Sequence, residues 1–147
     1  MKRFRLDGKI ALVTGGTGLF GKPITEGLAE AGAQVVIASR NVGRCGEWAA
    51  ELRREGYRAE GAALDLSSDA SIDACVSGCL SRHGKIDILV NNAVSRQGIR
   101  DLEAVTRSDI MEASSVNYAG TVLITRRVVA SMREQRSGSI INIGSIQ

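Results

Sequence analysis

The sequence has 147 residues, of which 44% are apolar and 24% charged, and its net charge is +3. That length sets one domain around one core, and the mix of apolar and charged residues excludes wholesale disorder. The arginines are interspersed with acidic residues, which reads as solvated helix faces and excludes a nucleic-acid-binding stripe.

The chain opens Met1-Lys2-Arg3-Phe4-Arg5, but Leu6-Asp7-Gly8-Lys9 follows in place of an apolar signal segment. No later apolar run is long enough to cross a bilayer, so a cytoplasmic protein with no membrane partner is expected. Ile10 to Thr14 is short, apolar and partly β-branched, the pattern of a buried parallel strand. Glycines follow at Gly15, Gly16, Gly18 and Gly21, and Pro23 to Ala31 reads as a helix. In that setting Gly16-Thr17-Gly18-Leu19-Phe20-Gly21 is a Gly-x-Gly-x-x-Gly string of the dinucleotide-binding kind. Glycines allow the tight turn and let the backbone approach a pyrophosphate, which then faces the free N–H groups of the helix start. The alternative is a glycine-rich turn without a ligand.

Gly32 reads as a helix C-cap and Gln34 to Ala38 as the second strand. A second helix is expected from about Glu47 to Arg54, stopped by Gly56, then a weaker third strand from Arg58 to Leu64 that leads into Asp65-Leu66. Ser67 or Ser68 can cap a third helix, which places Ile72, Cys75, Val76, Cys79 and Leu80 on one face. Cys75, Cys79 and His83 fall at i, i+4 and i+8 of that helix. The outer two stand about 12 Å apart along the axis, too far to share a metal through bonds of about 2 Å. Neither a metal site nor, with an odd number of cysteines, a disulfide framework is expected. Gly84 ends the helix, and Ile86 to Val90 is a fourth strand. A polar loop through Ser95–Arg107 follows, and Thr106-Arg107-Ser108-Asp109 fits a capping box that opens a helical region reaching Arg133. Ser139 to Ile143 is a fifth strand.

Strands alternating with helices imply right-handed crossovers and a doubly wound parallel sheet, whose ligands bind beyond the carboxyl ends of the strands. Thr14, Ser39, Arg40, Asp65, Asn91, Asn92 and Ser145 all fall at such strand ends. An acidic residue some twenty positions after the glycine turn would accept a ribose 2′-hydroxyl. The second strand ends instead in Ser39-Arg40, and a guanidinium there suits a 2′-phosphate, so NADP(H) is expected in preference to NAD(H).

Leu6-x-Gly8-Lys9, Thr14-Gly15, Asp65-Leu66, Asn91-Asn92-Ala93, Asn117 and Ser145 stand in the order and spacing of a known family. Over essentially its whole length the chain resembles the short-chain dehydrogenases/reductases. The resemblance implies a Rossmann-type α/β sheet of strand order 3-2-1-4-5 and an oxidoreductase that interconverts an alcohol and a carbonyl by hydride transfer. It implies that Gly15 to Gly21, with Thr17 and Phe20 among them, hold the pyrophosphate, that Asp65 and Leu66 contact the adenine, and that Asn92 and Ala93 shape the fourth-strand end near a ribose. Asn117 would keep a water in a proton relay, and Ser145 would hydrogen-bond the reacting oxygen. A homo-oligomer is implied for the full-length protein.

Three features depart from the family's pattern. Leu19 takes the place of the usual middle glycine, with Gly18 before it, and Val94 replaces the glycine usual after Asn-Asn-Ala. The family's Tyr-x-x-x-Lys pair is absent: Tyr57 is followed four residues on by Gly61, and Tyr118 by Val122. A lysine on the tyrosine's helix face lowers the phenol pKa for acid–base work. The expectation is therefore one dinucleotide-binding domain, residues 1–147, representing the N-terminal portion of such an enzyme and inactive by itself, with the family's C-terminal strands and helices missing. The alternatives are an inactive dinucleotide-binding module and one piece of a split protein. Serine hydrolysis is disfavoured, since Ser145 lacks a Gly-x-Ser-x-Gly elbow.

Overall fold

The apolar runs of the sequence become five parallel strands in a computed structural model that describes residues 4–96 and 102–144. The strands are β1 (Ile10–Thr14), β2 (Gln34–Ser39), β3 (Arg58–Ala63), β4 (Ile88–Asn91) and β5 (Ser139–Asn142), in the spatial order β3-β2-β1-β4-β5. The helices between them are α1 (Gly21–Glu30), α2 (Val42–Arg54), α3 (Asp69–His83), α4 (Arg107–Ser114) and α5 (Thr121–Glu134). The order reverses between β1 and β4, and that is the switch point where such sheets bind ligands.

Alternation along β1 divides the core. Ile10 and Leu12 turn to one face with Val36, Leu89 and the inward residues of α3 and α5, among them Ile72, Val76, Ile124 and Val128. Ala11 and Val13 turn to the other with Val35, Ile37 and Val90, against Ala29, Ala49 and Leu52 of α1 and α2. β1 is buried throughout, whereas β5 pairs with β4 on one side and is exposed along its length.

Two differences from expectation stand out beside shifts of one or two residues at the ends of other elements. α2 begins at Val42, five residues early, because the Asn41 side chain accepts the Arg44 N–H at 3.0 Å and caps a turn that contains two glycines. The long helical region is not one helix: Ser115–Gly120 forms a π-helical turn between α4 and α5. The cap of α3 is Ser68, whose hydroxyl accepts the Ser71 N–H, and the capping box at Thr106 and Asp109 is reciprocal.

Candidate functional site

A cavity of about 850 Å³ opens along the carboxyl ends of β1 to β4. Its floor is set where the turn after β1 meets the loop after β4. Gly15 has φ +64, and a Cβ there would stand 2.8 Å from Ala93 Cα, so both the conformation and the close approach require glycine. Thr14, buried, clamps the two segments: its hydroxyl donates to Val90 O at 3.3 Å and accepts the N–H groups of Asn92 and Ala93 at 3.0 Å each. Asn92 returns the contact, its amide donating to Thr14 O at 3.2 Å and Gly15 O at 3.0 Å.

Of the residues expected to bind a cofactor, Gly15, Thr17, Gly18 and Phe20 line the cavity from the glycine turn. Ser39, Arg40, Asp65, Leu66, Asn92 and Ala93 line it from the other strand ends. Gly16 and Gly21 do not. A Cβ on Gly16 would meet Ile37 and Thr25 side chains, and one on Gly21 would collide with Gly15 O and the Gly16 backbone. Their smallness lets α1 pack onto the turn, a structural task for which the glycine string gave no separate signal.

α1 starts at the cavity with no side-chain cap and no acidic residue in its first turn, so its end presents positive potential unopposed by a carboxylate of its own. At the end of β2, the Ser39 hydroxyl bonds Asn41 O at 3.3 Å and lies 3.0 Å from Cys45 Sγ, while Arg40 is exposed. Asp65 accepts both the hydroxyl (2.6 Å) and the N–H (2.9 Å) of Ser67. Those two bonds, the hydroxyl's first, and then the charge of Arg40 hold the Asp65 carboxyl below the usual carboxylate range.

Asn117 sits in the π-helical turn, and its side chain grips the backbone of Ser95: Oδ1 accepts the Ser95 N–H at 2.6 Å and Nδ2 donates to Ser95 O at 2.9 Å. Its amide thus anchors the loop after β4. Gly120 closes the same turn against the cavity wall, where a Cβ would strike Leu66 O. Sequence reading missed Gly120, Val116 and Arg96, the last two lining the cavity; a glycine inside a helical pattern was the only available signal. Ser145 lies outside the described residues.

The helical cysteines are elsewhere. Burial pushes the Cys75 thiol up to about 11 and the Cys79 thiol up to about 12, which keeps both protonated near neutrality. The His83 ring lies 3.1 Å from a Glu60 carboxylate oxygen that also accepts from Arg82. Among the described residues no group of three His, Cys, Asp or Glu side chains is placed to hold a metal, and no helix is long and apolar enough to cross a membrane.

A glycine turn, a strand-end cleft and a topological switch point together define a nucleotide-binding type of α/β domain. The sequence pattern of the family described as short chain dehydrogenase matches residues 9–147. A sorbitol dehydrogenase of Cereibacter sphaeroides is 39% identical over 142 residues, 96% of this chain and 54% of that protein. A galactitol 2-dehydrogenase of Rhizobium johnstonii is 37% identical over 99% of this chain and 56% of its own length. The crystal structure of a gluconate 5-dehydrogenase from Burkholderia cenocepacia, in complex with NADP and tartrate, superimposes with a TM-score of 0.88 at 39% identity, covering 98% of this chain and 56% of that one. The chain belongs to the short-chain dehydrogenase/reductase family. It spans about half the length of the curated relatives it matches.

Proposed function

We propose that this chain is the dinucleotide-binding part of an NADP(H)-dependent oxidoreductase that interconverts a small alcohol and its carbonyl. The observation that carries the reading is the cleft itself, in which the glycine turn, Arg40 and Asp65 face one continuous space. The residues suit a dinucleotide. Gly15 and Gly18 leave the backbone bare, α1 opens without an acid, and Arg40 stands where an acidic residue would select the unphosphorylated ribose. When bound, the dinucleotide supplies or accepts the hydride. In this reading Arg40 takes the 2′-phosphate, Asp65 and Leu66 border the adenine, and Asn92 with Thr14 fixes the loop near the second ribose. Asn117 holds the loop at Ser95, and Ser145 donates a hydrogen bond to the reacting oxygen.

An ordinary serine hydroxyl is a poor acid near neutrality, and the 147 residues contain no Tyr-x-x-x-Lys pair. General acid catalysis contributes about 10²–10⁴-fold. The chain by itself therefore binds NADP(H) but turns over no alcohol or carbonyl appreciably, while a version extended in frame through a Tyr-x-x-x-Lys is active and loses turnover on Ser145→Ala. Titration with NADPH and NADH tests the binding half. Wild type prefers NADPH and Arg40→Ala loses that preference, by roughly tenfold or more for a charge-assisted contact. Equal affinities in wild type overturn the cofactor assignment. Comparable turnover by the 147-residue chain overturns the catalytic one. The same absence of a Tyr-x-x-x-Lys pair favours, as a second reading, a binding module without catalysis; an extended protein that stays inactive decides for it.

A further inference from the structure

α1 begins at the cleft with no side-chain cap of its own, yet its first turn is tied down from outside. Thr25 is buried against the glycine turn, where a Cβ on Gly16 would come within 3.1 Å of its methyl group. Its hydroxyl donates to Lys22 O at 2.8 Å and accepts the Trp48 indole N–H, also at 2.8 Å. The Lys22 ammonium lies 4.3 Å from the centre of the Trp48 ring, a cation–π distance. Lys22, in the first turn of α1, is thus held to Trp48 of α2 twice, through its carbonyl by way of Thr25 and through its charge.

Trp48 can act as an anchor because α2 is seated by contacts of its own. Asn41 caps it, and it lies so close on β3 that a Cβ on Gly61 would meet Gly46 N at 2.7 Å. Trp48, Thr25 and Lys22 do not line the cleft. Bonds made outside a binding site, from a firmly seated helix to the uncapped end of one that faces the site, act on the position of that end.

We propose, on the dinucleotide reading above, that Trp48 is a positioning residue for phosphate binding: through Thr25 and Lys22 it holds the first turn of α1 in the geometry that receives the pyrophosphate. With the turn held, its N–H groups are aimed before the ligand arrives. With the turn released, binding has to order it, and affinity falls although no contact to the ligand is removed. One hydrogen bond of this kind corresponds to about threefold to tenfold in affinity.

The test titrates NADPH, NADH and adenosine 2′-monophosphate, the last without a pyrophosphate, well below the thermal midpoint, where lower stability alone leaves affinity unchanged. Thr25→Val removes the hydroxyl at nearly constant volume, and Thr25→Ser keeps it. Trp48→Phe keeps a ring for Lys22 and loses the N–H. Thr25→Val and Trp48→Phe are each expected to bind NADPH and NADH about threefold to tenfold more weakly, by one common factor, and adenosine 2′-monophosphate as wild type does. Thr25→Ser binds all three ligands as wild type does. Wild-type affinity for NADPH in either Thr25→Val or Trp48→Phe overturns the positioning role and leaves the dinucleotide reading standing. So does equal weakening of adenosine 2′-monophosphate, or a Thr25→Ser variant that binds as poorly as Thr25→Val. If Trp48→Phe does not fold, the two Thr25 variants decide. Wild type that binds none of the ligands overturns the reading, and the positioning role with it.

Discussion

The two ends of the sheet treat charge in opposite ways. At the amino end Asp87 is buried, and its carboxylate accepts the Ile10 N–H at 2.8 Å while Lys85 and Lys9 stand 3.0 and 3.4 Å away. At the carboxyl end Arg40 is exposed and has no hydrogen bond or ion pair among the described residues, and α1 opens without an acid. Charge that is matched inside the protein stabilises the fold. Charge that the fold leaves without a direct hydrogen bond or ion pair, beside a cleft, is available to a ligand even though Arg40 also steadies the Asp65 carboxylate from a distance. The comparison teaches that stability and recognition are separated along the strand axis, so that each can be altered with little effect on the other.

The largest effect that breaks this separation is expected at Gly120, where the two tasks meet. A side chain there strikes the carbonyl of Leu66, which is backbone and a wall of the cleft. Gly120→Val should cost about 3 kcal/mol by overpacking and should weaken NADPH binding as well, read from denaturant unfolding and titration of the same sample. Unchanged values in both would mean that the Leu66 segment gives way freely.

Asp87→Ala sharpens the contrast. It leaves the Ile10 N–H buried without its acceptor and should cost about 2 kcal/mol, with NADPH affinity unchanged. Arg40→Ala is its mirror image: stability within about 0.5 kcal/mol of wild type, as for other surface changes, but loss of the preference for NADPH. A fall in stability for Arg40→Ala, or in affinity for Asp87→Ala, would remove the separation.

Those variants also separate what was legible in the sequence from what was not. β1 was readable to the residue because burial on both faces demands a continuous apolar run, and Ile10–Thr14 has one. The capping box at Thr106 was readable because its two bonds are local. The start of α2 was not: Gly43 and Gly46 hide the helix from propensity, and the Asn41 cap outweighs them. The π-helical turn was invisible because its side-chain pattern differs little from that of an α-helix, although it carries Asn117 and Gly120. Most of the residues expected to bind a cofactor line one cleft, since strand ends converge in any such sheet. Their individual tasks depend on contacts between distant segments, such as Asn117 with Ser95 and Thr14 with Ala93, which no local pattern encodes.

The smallest effect concerns pH and separates the matched carboxylate from its surroundings. Burial pushes the Asp87 carboxyl up, but the Ile10 N–H, Lys85 and Lys9 outweigh it and hold the group below the ordinary carboxylate value. A carboxylate with a depressed folded-state pKa contributes stability that is fully present above the unfolded-state value of about 3.9 and is lost as pH falls through the lower folded value. The stability gap between wild type and Asp87→Asn should therefore be flat from neutrality down to about pH 5 and narrow below pH 4. Asp65 is depressed in the same direction by Ser67 and Arg40, so it contributes with the same sign in both proteins and cancels in the gap. Unfolding in guanidinium at several pH values measures it. A gap that stays constant to pH 3, or widens, would mean that Asp87 draws its stabilising value from packing rather than from its charge.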